Sequence, residues 1–544
     1  MKKTIFSLAS LIVVISMSFV FVSDLKTTPE KAKLVTKKSN ATSRELTSNN
    51  VFLEPEGEDI LNQFQIINGK GKPKPPTKFR QGHAKPIKLS KNYLTHTKDG
   101  FEVKFKRPTN VPTASVYKGK VYVSGGFGSK QYYAFDAQSG EFIWGITLDD
   151  DGPSVAAIVG DIIVFNTESC TIFACNANTG EHLWSYWLGD PLMSMPTIAN
   201  GKVFTAYPAR YGGSYSKGNL YSPKLNHSSN KPNVKLGKNV KIRPSHVLAA
   251  FDLKTGKILW QKWIDGDVMS APVARNNDLF VTTFTGSLLR FNQKTGKILS
   301  AKAVRATSAP VIHHQGLFVT KRAENKGEKT AESLSFMSHQ KKQHTFKQNF
   351  AKKEAPYLDK KVQSKSSYKT QSLLMDSGNG FSAGAPANSG WKKAYENIGQ
   401  SNVSSLQAFQ GSRVLYYKGR SYATMGNELV CNNPKTGKQI WSLKLKGDMR
   451  KKGGFMGTPP IQVNNKIVIA TFTGDVMIID PKSGKTTQTY HLKHNIRYQP
   501  VIANGWIYTT TTDGRMIAVN TGNKQLTGWS TWGANVARSN NLSK

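Results

Sequence analysis

Three groups of residues have types that could do chemistry. Histidines come in two close pairs, His313 with His314 and His491 with His494. A metal centre needs three or four converging ligands. The first pair lies in an apolar run that reads as a strand, where neighbours point to opposite faces. The second is an H-x-x-H spacing with neither a third ligand nor an acidic base. The three cysteines are Cys170, Cys175 and Cys431. Extended chain separates the first two by ~16 Å, beyond the reach of a disulfide. Glycines at 453, 454 and 457 precede a strand and not a helix, so they form no phosphate cradle, and no nucleophile elbow or Walker loop occurs. These residues assign no catalytic group and no metal ligand.

The elements that would position any site are legible in an internal repeat. The pattern A-x-[DN]-x-x-[ST]-G-x-x-x-W runs from Ala134 to Trp144, from Ala174 to Trp184 and from Ala250 to Trp260. It recurs in part from Asn292 to Gly296, Asn433 to Trp441, Asp480 to Gly484 and Asn520 to Gly522. An eroded copy lies at Leu334 to Ser338, giving eight units. A second anchor keeps phase with the first: Pro196, Pro272, Pro310, Pro460 and Pro500, with Ala114, Val155 and Val414 in the other three units. Each unit of about 40 residues holds four short β-branched and aromatic runs, the size of one propeller blade. The Asp or Asn can cap its own turn, and the glycine can take positive φ. Trp144, Trp184, Trp260 and Trp441 then open the outer strand and read as wedges between blades. Cys431 takes the slot of Ala134, Ala174 and Ala250, which reads as core.

At these residues the chain resembles the quinoprotein-like, or PQQ-like, β-propeller repeat family, over roughly residues 101–544 apart from insertions. The resemblance implies an all-β fold: an eight-bladed β-propeller of four-stranded antiparallel blades around a central channel. The family contains dehydrogenases that use pyrroloquinoline quinone with calcium, and non-catalytic propellers such as the BamB-like subunit of the outer-membrane β-barrel assembly machine. The dehydrogenases usually carry two adjacent cysteines, which this chain lacks, so the BamB-like branch is the closer likeness. One terminus, either the segment from Thr527 to Asn535 or that from Phe101 to Phe105, is expected to complete the blade begun by the other.

The charge balance is 75 Lys and Arg against 34 Asp and Glu, a net +41 in 544 residues. Most of the excess lies in a leader before residue 108 and in insertions at about 209–246 and 321–412. Such a balance favours anionic partners. Tyr211, Tyr215 and Tyr221 are too thin an aromatic set for base stacking, so nucleic acid is disfavoured. Residues 1–23 read as a signal peptide or N-terminal anchor, and 24–100 as a basic, largely disordered leader. The stretch 373–412, poor in charge and rich in glycine, suits an ordered lid over one face. By phase, the loops at the channel mouth hold Met193, Met269, Arg305, Thr307, Arg450, Lys451, Lys452 and Arg497 as binding candidates. The expectation is an exported propeller, periplasmic, envelope-associated or secreted, without cofactor. It would bind or scaffold an envelope protein, or an anionic polysaccharide or lipid surface. The alternative is a PQQ-dependent dehydrogenase or a glycan-active propeller enzyme.

Overall fold

The repeat motif builds a turn. In the computed structural model, Asp136 Oδ1 accepts hydrogen bonds from the backbone N–H groups of Gln138 and Ser139 (2.9 and 2.8 Å) and from Ser139 Oγ (3.1 Å). Asp252 and Asp480 accept the same bonds from Thr255 and Ser483, and Asn176, Asn292 and Asn433 stand in the same place. The side-chain oxygen satisfies donors that a tight turn leaves orphaned. The glycines of these six turns hold φ between 66 and 75°. An L side chain enters that region at a cost of about 1–2 kcal/mol. Just before each turn the ladder slips by one residue, as at Ala134/Phe135, Ala250/Phe251 and Cys431/Asn432.

The structure describes residues 57–73, 75–78, 84–167, 171–188, 195–208, 240, 242, 244, 246–338, 343–346, 414–447 and 456–538, apart from 267, 284, 314, 315, 326, 327, 426 and 427. These form eight antiparallel sheets of four or five strands, the eight-bladed propeller that the repeat implies. Blade 1 comprises Ser115–Tyr117, Lys120–Ser124, Gln131–Asp136 and Phe142–Leu148. The inner strands of blades 2 to 8 are Ala157–Val159, Thr197–Ala199, Val273–Arg275, Val311–His313, Val414–Tyr417, Ile461–Val463 and Val501–Ala503. In five blades a proline directly precedes the inner strand, where no ladder donor is needed. Leu334 to Ser338 fall in the third strand of blade 5, Glu328–Ser338, so the eroded copy is a blade.

The ring closes through its N-terminal side. Gly100–Lys104 pairs with Arg515–Asn520 as the fourth strand of blade 8, with Leu94–Thr97 as a fifth. The C-terminal segment has a different place, described below.

The described part of the leader 24–100 forms short strands and one helix. Glu58–Asp59 adds to the outer edge of blade 4 at Lys302 and Ala303. The helix Leu61–Gly69 follows, with Phe64 and Ile67 buried in the core. Its Asn68 side chain accepts from Trp263 N (2.8 Å) and donates to Trp263 O (3.2 Å) on the outer strand of blade 3. Thr77–Lys78 adds to blade 2 and Ala84–Ile87 to blade 1. The leader is thus a belt over five outer edges, held at four by backbone pairing that low hydropathy does not forbid and at blade 3 by the Asn68 side chain. Where the insertion is expected at 321–412, Gly316–Asn325 and Glu328–Ser338 pair as a long hairpin, and Gln343–Phe346 is the outer strand of blade 5. The expected lid at 373–412, most of the insertion at 209–246 and residues 1–56 lie outside the described residues.

Candidate functional site

Alternating strands give the disc two unlike faces. One holds the capped turns described above and the tight turns between first and second strands. The other holds the loops between blades and those between second and third strands. The chain of residues 209–245 leaves blade 3 between its second strand Lys202–Pro208 and third strand His246–Asp252. Residues 347–413 leave between the outer strand of blade 5 and the inner strand of blade 6. The long hairpin of blade 5 opens on the same side. All three excursions therefore depart from one face, here called the loop face.

The mouth candidates divide there. Arg305 is half-buried at φ 57°. Arg497 lies 4.9 Å from the centroid of the Phe472 ring, and burial lowers its pKa. Thr307 is fully buried, its Oγ1 donating to Thr320 Oγ1 (3.0 Å). Met269 is also fully buried, with its N–H bonded to Thr282 O (2.8 Å). Met193, Arg450, Lys451 and Lys452 lie outside the described residues.

The channel itself is filled from within. After the last turn the chain runs along the inner strands: Ile502 N donates to Trp529 O (2.7 Å), Val116 N to Ser530 O (2.6 Å), Ile198 N to Val536 O (2.8 Å) and Ala274 N to Ala537 O (3.0 Å). These partners belong to blades 8, 1, 3 and 4, so the segment lies where the blades meet. Trp529 is fully buried, and Trp532 packs with Val155, Met195 and Ala271 at the entries to blades 2, 3 and 4. Arg538, 2% exposed, donates to Pro196 O, Thr531 Oγ1, Trp532 O and Val155 O at 3.2, 3.1, 2.8 and 3.5 Å. Its guanidinium carbon lies 5.4 Å from the Trp532 ring centroid. Desolvation pushes this guanidinium down to about 9, still charged at neutral pH. Carbonyl dipoles hold the cation here, in place of a carboxylate. Sequence reasoning missed the plug; the signal was a Trp pair beyond the last turn, at a position where no further outer strand was required.

The wedge tryptophans sit where the motif places them. A Cβ on Gly180 would meet Trp144, one on Gly256 would meet Trp184, one on Gly296 Trp260 and one on Gly484 Trp441. Each ring lies under the next blade's turn glycine. Each Nε1 donates to a carbonyl three residues before that glycine: Ala177, Leu253, Gln293 and Pro481 at 2.9, 3.0, 2.9 and 3.2 Å. Across the ladder the rings face Ala134, Ala174, Ala250 and Cys431. Cys175 and Cys431 are free and buried, and burial raises both thiols, to about 12 and about 11. Cys170 lies outside the described residues.

Titratable groups gather elsewhere. His313 is buried against the Tyr416 ring at 4.3 Å, and His314 is outside the described residues. His491 Nδ1 lies 2.6 Å from Asp475. His494 lies 3.1 Å from Asp513 and 3.8 Å from Glu102, and Arg515 bonds both carboxylates. The two histidines thus meet different acids and do not share a ligand set. The Glu102 cluster bridges the two chain segments that close the ring. Asp150, in the loop from blade 1 to blade 2, accepts a 2.6 Å bond from Thr167 Oγ1, and burial raises its carboxyl. Among the described residues no three His, Cys, Asp or Glu side chains could hold a metal ion.

The model of the family described as outer membrane protein assembly factor BamB matches residues 129–216, 228–325 and 426–540, more than half of the chain. Tetrathionate hydrolase of Acidithiobacillus ferrooxidans is 28% identical over 173 residues, 31% of this chain and 32% of that protein. The chain thus spans about a third of the length of this curated relative. Among solved structures, BamB from Moraxella catarrhalis aligns at 14% identity and a TM-score of 0.35, covering 81% of this chain and 97% of that one. A quinohemoprotein alcohol dehydrogenase from Pseudomonas putida aligns at 13% identity and 0.46, covering 78% and 76%.

Proposed function

We propose a docking role for this chain, which belongs to the family described as outer membrane protein assembly factor BamB. It is an exported, non-catalytic propeller that holds an envelope protein or an anionic polymer on its loop face. The observation that carries this reading is the filled channel. A small-molecule site on the axis needs space where Trp529, Trp532 and Arg538 are packed. The two described cysteines are buried singly in different blades. The loop face, in contrast, carries the long excursions, and residues 209–246 hold eight Lys or Arg and no acid. Exposed basic loops raise encounter rates with anions and are screened by salt.

The test is retention of purified envelope proteins and of heparin, as a model polyanion, on the immobilised chain at ~0.05 and ~0.3 M salt. Retention should be strong at low salt, weak at high salt, and reduced when 209–245 is replaced by a Gly-Ser linker. No retention at low salt overturns the reading. A second reading is hydrolysis of a sulfur oxyanion, favoured by the likeness to tetrathionate hydrolase and by the half-buried Asp150 carboxyl bonded to Thr167. Tetrathionate turnover that Asp150→Asn abolishes would install it instead.

A further inference from the structure

The belt stops at blade 4. Its strands pair with the outermost strands of blades 8, 1, 2 and 4, and at blade 3 the Asn68 side chain bonds the backbone of Trp263. Among the described residues, nothing pairs with the outer edge of blades 5, 6 or 7. An uncovered edge is a template for another strand. Blades 6 and 7 differ in what they present. The outer strand of blade 7, Thr486–His491, is Thr, Gln and Tyr, with Gln488 where other blades place tryptophan. The outer strand of blade 6, Gln439–Lys444, is apolar at Ile440, Trp441 and Leu443.

The core-facing positions of that strand are incompletely covered. In belted blade 1 the corresponding residues, Trp144, Ile146 and Leu148, are all buried; in belted blade 2 so are Trp184, Tyr186 and Leu188. In blade 6 Trp441 and Leu443 are only half-buried, while Ile440, on the opposite face, is about as open as Ile143 and Leu183 of the belted blades. In blade 1 the belt supplies the cover: Ala84 and Pro86 lie opposite Leu148 and Ile146. The edge of blade 6 is therefore built like a belted edge without its belt. The exposed charge along this edge is mostly basic: Lys435, Lys438, Lys444 and Lys446 are exposed, with Glu428 opposite Lys444 on the third strand. Pairing with a second copy of the same strand would set these lysines against each other.

We propose that Gln439–Lys444 accepts an extended acidic segment of a partner protein, added antiparallel as a fifth strand. Apolar residues of the segment lie beside Trp441 and Leu443, and alternate acidic residues meet the lysines. Main-chain bonds supply the attachment and the lysines select the charge. The proposal rests on the docking reading only in taking the partner to be a protein. The experiment below reads the edge directly, so its outcome and that of retention on the loop face are independent.

The probe is a short synthetic peptide alternating valine and glutamate, added to the full chain and followed by amide hydrogen exchange. Exchange across 439–444 should slow by about tenfold or more at saturation, while 145–148, already paired with the belt, should not change. A peptide alternating valine and lysine should give no protection. The Lys438→Glu, Lys444→Glu double variant should weaken binding of the acidic peptide by about tenfold at low salt, with an unchanged thermal midpoint. Four outcomes overturn the proposal: no slowing at 439–444, equal slowing by the lysine peptide, no weakening in the double variant, or protection of 439–444 in the free chain as strong as that of 145–148. If that last protection grows with protein concentration, the edge belongs to a second copy.

Discussion

Replacing Gly256 by alanine is expected to raise two separable costs, and Trp184 decides one of them. A Cβ at position 256 would stand 2.6 Å from Trp184 Cδ2 and 2.7 Å from Cγ, with the backbone at φ +67°. The left-handed backbone costs alanine about 1–2 kcal/mol, and overpacking against the ring a further ~1–3 kcal/mol, so Gly256→Ala should destabilise by about 2–5 kcal/mol in all. Trp184→Ala alone should cost about 3–5 kcal/mol, because the ring is 2% exposed and donates from Nε1 to Leu253 O at 3.0 Å. With the ring gone, the new Cβ meets open space and only the backbone cost remains. The two changes should therefore be less than additive by about 1–3 kcal/mol. Equilibrium urea unfolding of the four proteins, followed by far-ultraviolet circular dichroism, measures this cycle. If Gly256→Ala costs the same in both backgrounds to within about 0.5 kcal/mol, the ring is not the neighbour that reserves this position for glycine.

Further outcomes follow from the same geometry. Trp441→Ala should cost about half of Trp184→Ala in the same urea series, since Trp441 is only half-buried and transfer energy scales with buried area. Glu102→Gln should loosen ring closure by about 1 kcal/mol, read as faster amide exchange across 100–104 and a smaller difference at high salt. Arg538→Ala leaves the Pro196 and Trp532 carbonyls without their donor, at about 1–3 kcal/mol for each orphan; the C-terminal segment should become protease-sensitive, with incomplete rescue by Arg538→Lys, whose point charge lacks the guanidinium fork. Hydrogen bonds from Thr255 and Ser483 hold the Asp252 and Asp480 carboxyls below their ordinary range. That stabilisation is present above the ordinary carboxylate pKa and is lost as pH falls through the lowered one. Asp252→Asn should keep the turn, as Asn292 does, and remove its share of acid sensitivity in a pH series of unfolding midpoints. Asp150 has the opposite sign: burial raises its carboxyl, so its contribution is present at low pH and fades as pH rises through the raised pKa.

The ring was legible because each blade repeats the same local solution. Asp136, Gly140 and Trp144 have counterparts at fixed spacing because capping and positive φ recur in six turns and docking on a neighbour in four blades. The belt was not legible, because strands of two to four residues have no period to read, and Glu58–Asp59 or Thr77–Lys78 are strands only because an outer edge lies beside them. The helix Leu61–Gly69 shows two core residues, Phe64 and Ile67, too few for an amphipathic stripe. Trp529 and Trp532 were visible as apolar but not as channel filling, since nothing local separates a last outer strand from a segment turned inward. For Met269, likewise, phase locates the loop but not its burial, which the structure shows as complete.

The bond between Arg515 and Glu102 spans 413 positions of the chain. The latch of the ring thus waits for the eighth blade, which is the last to be synthesised. Contacts of such sequence separation form slowly, so seven blades exist for a time as an open arc with an unsatisfied rim at either end. Until it locks, that arc must be kept from pairing with the open arcs of its neighbours.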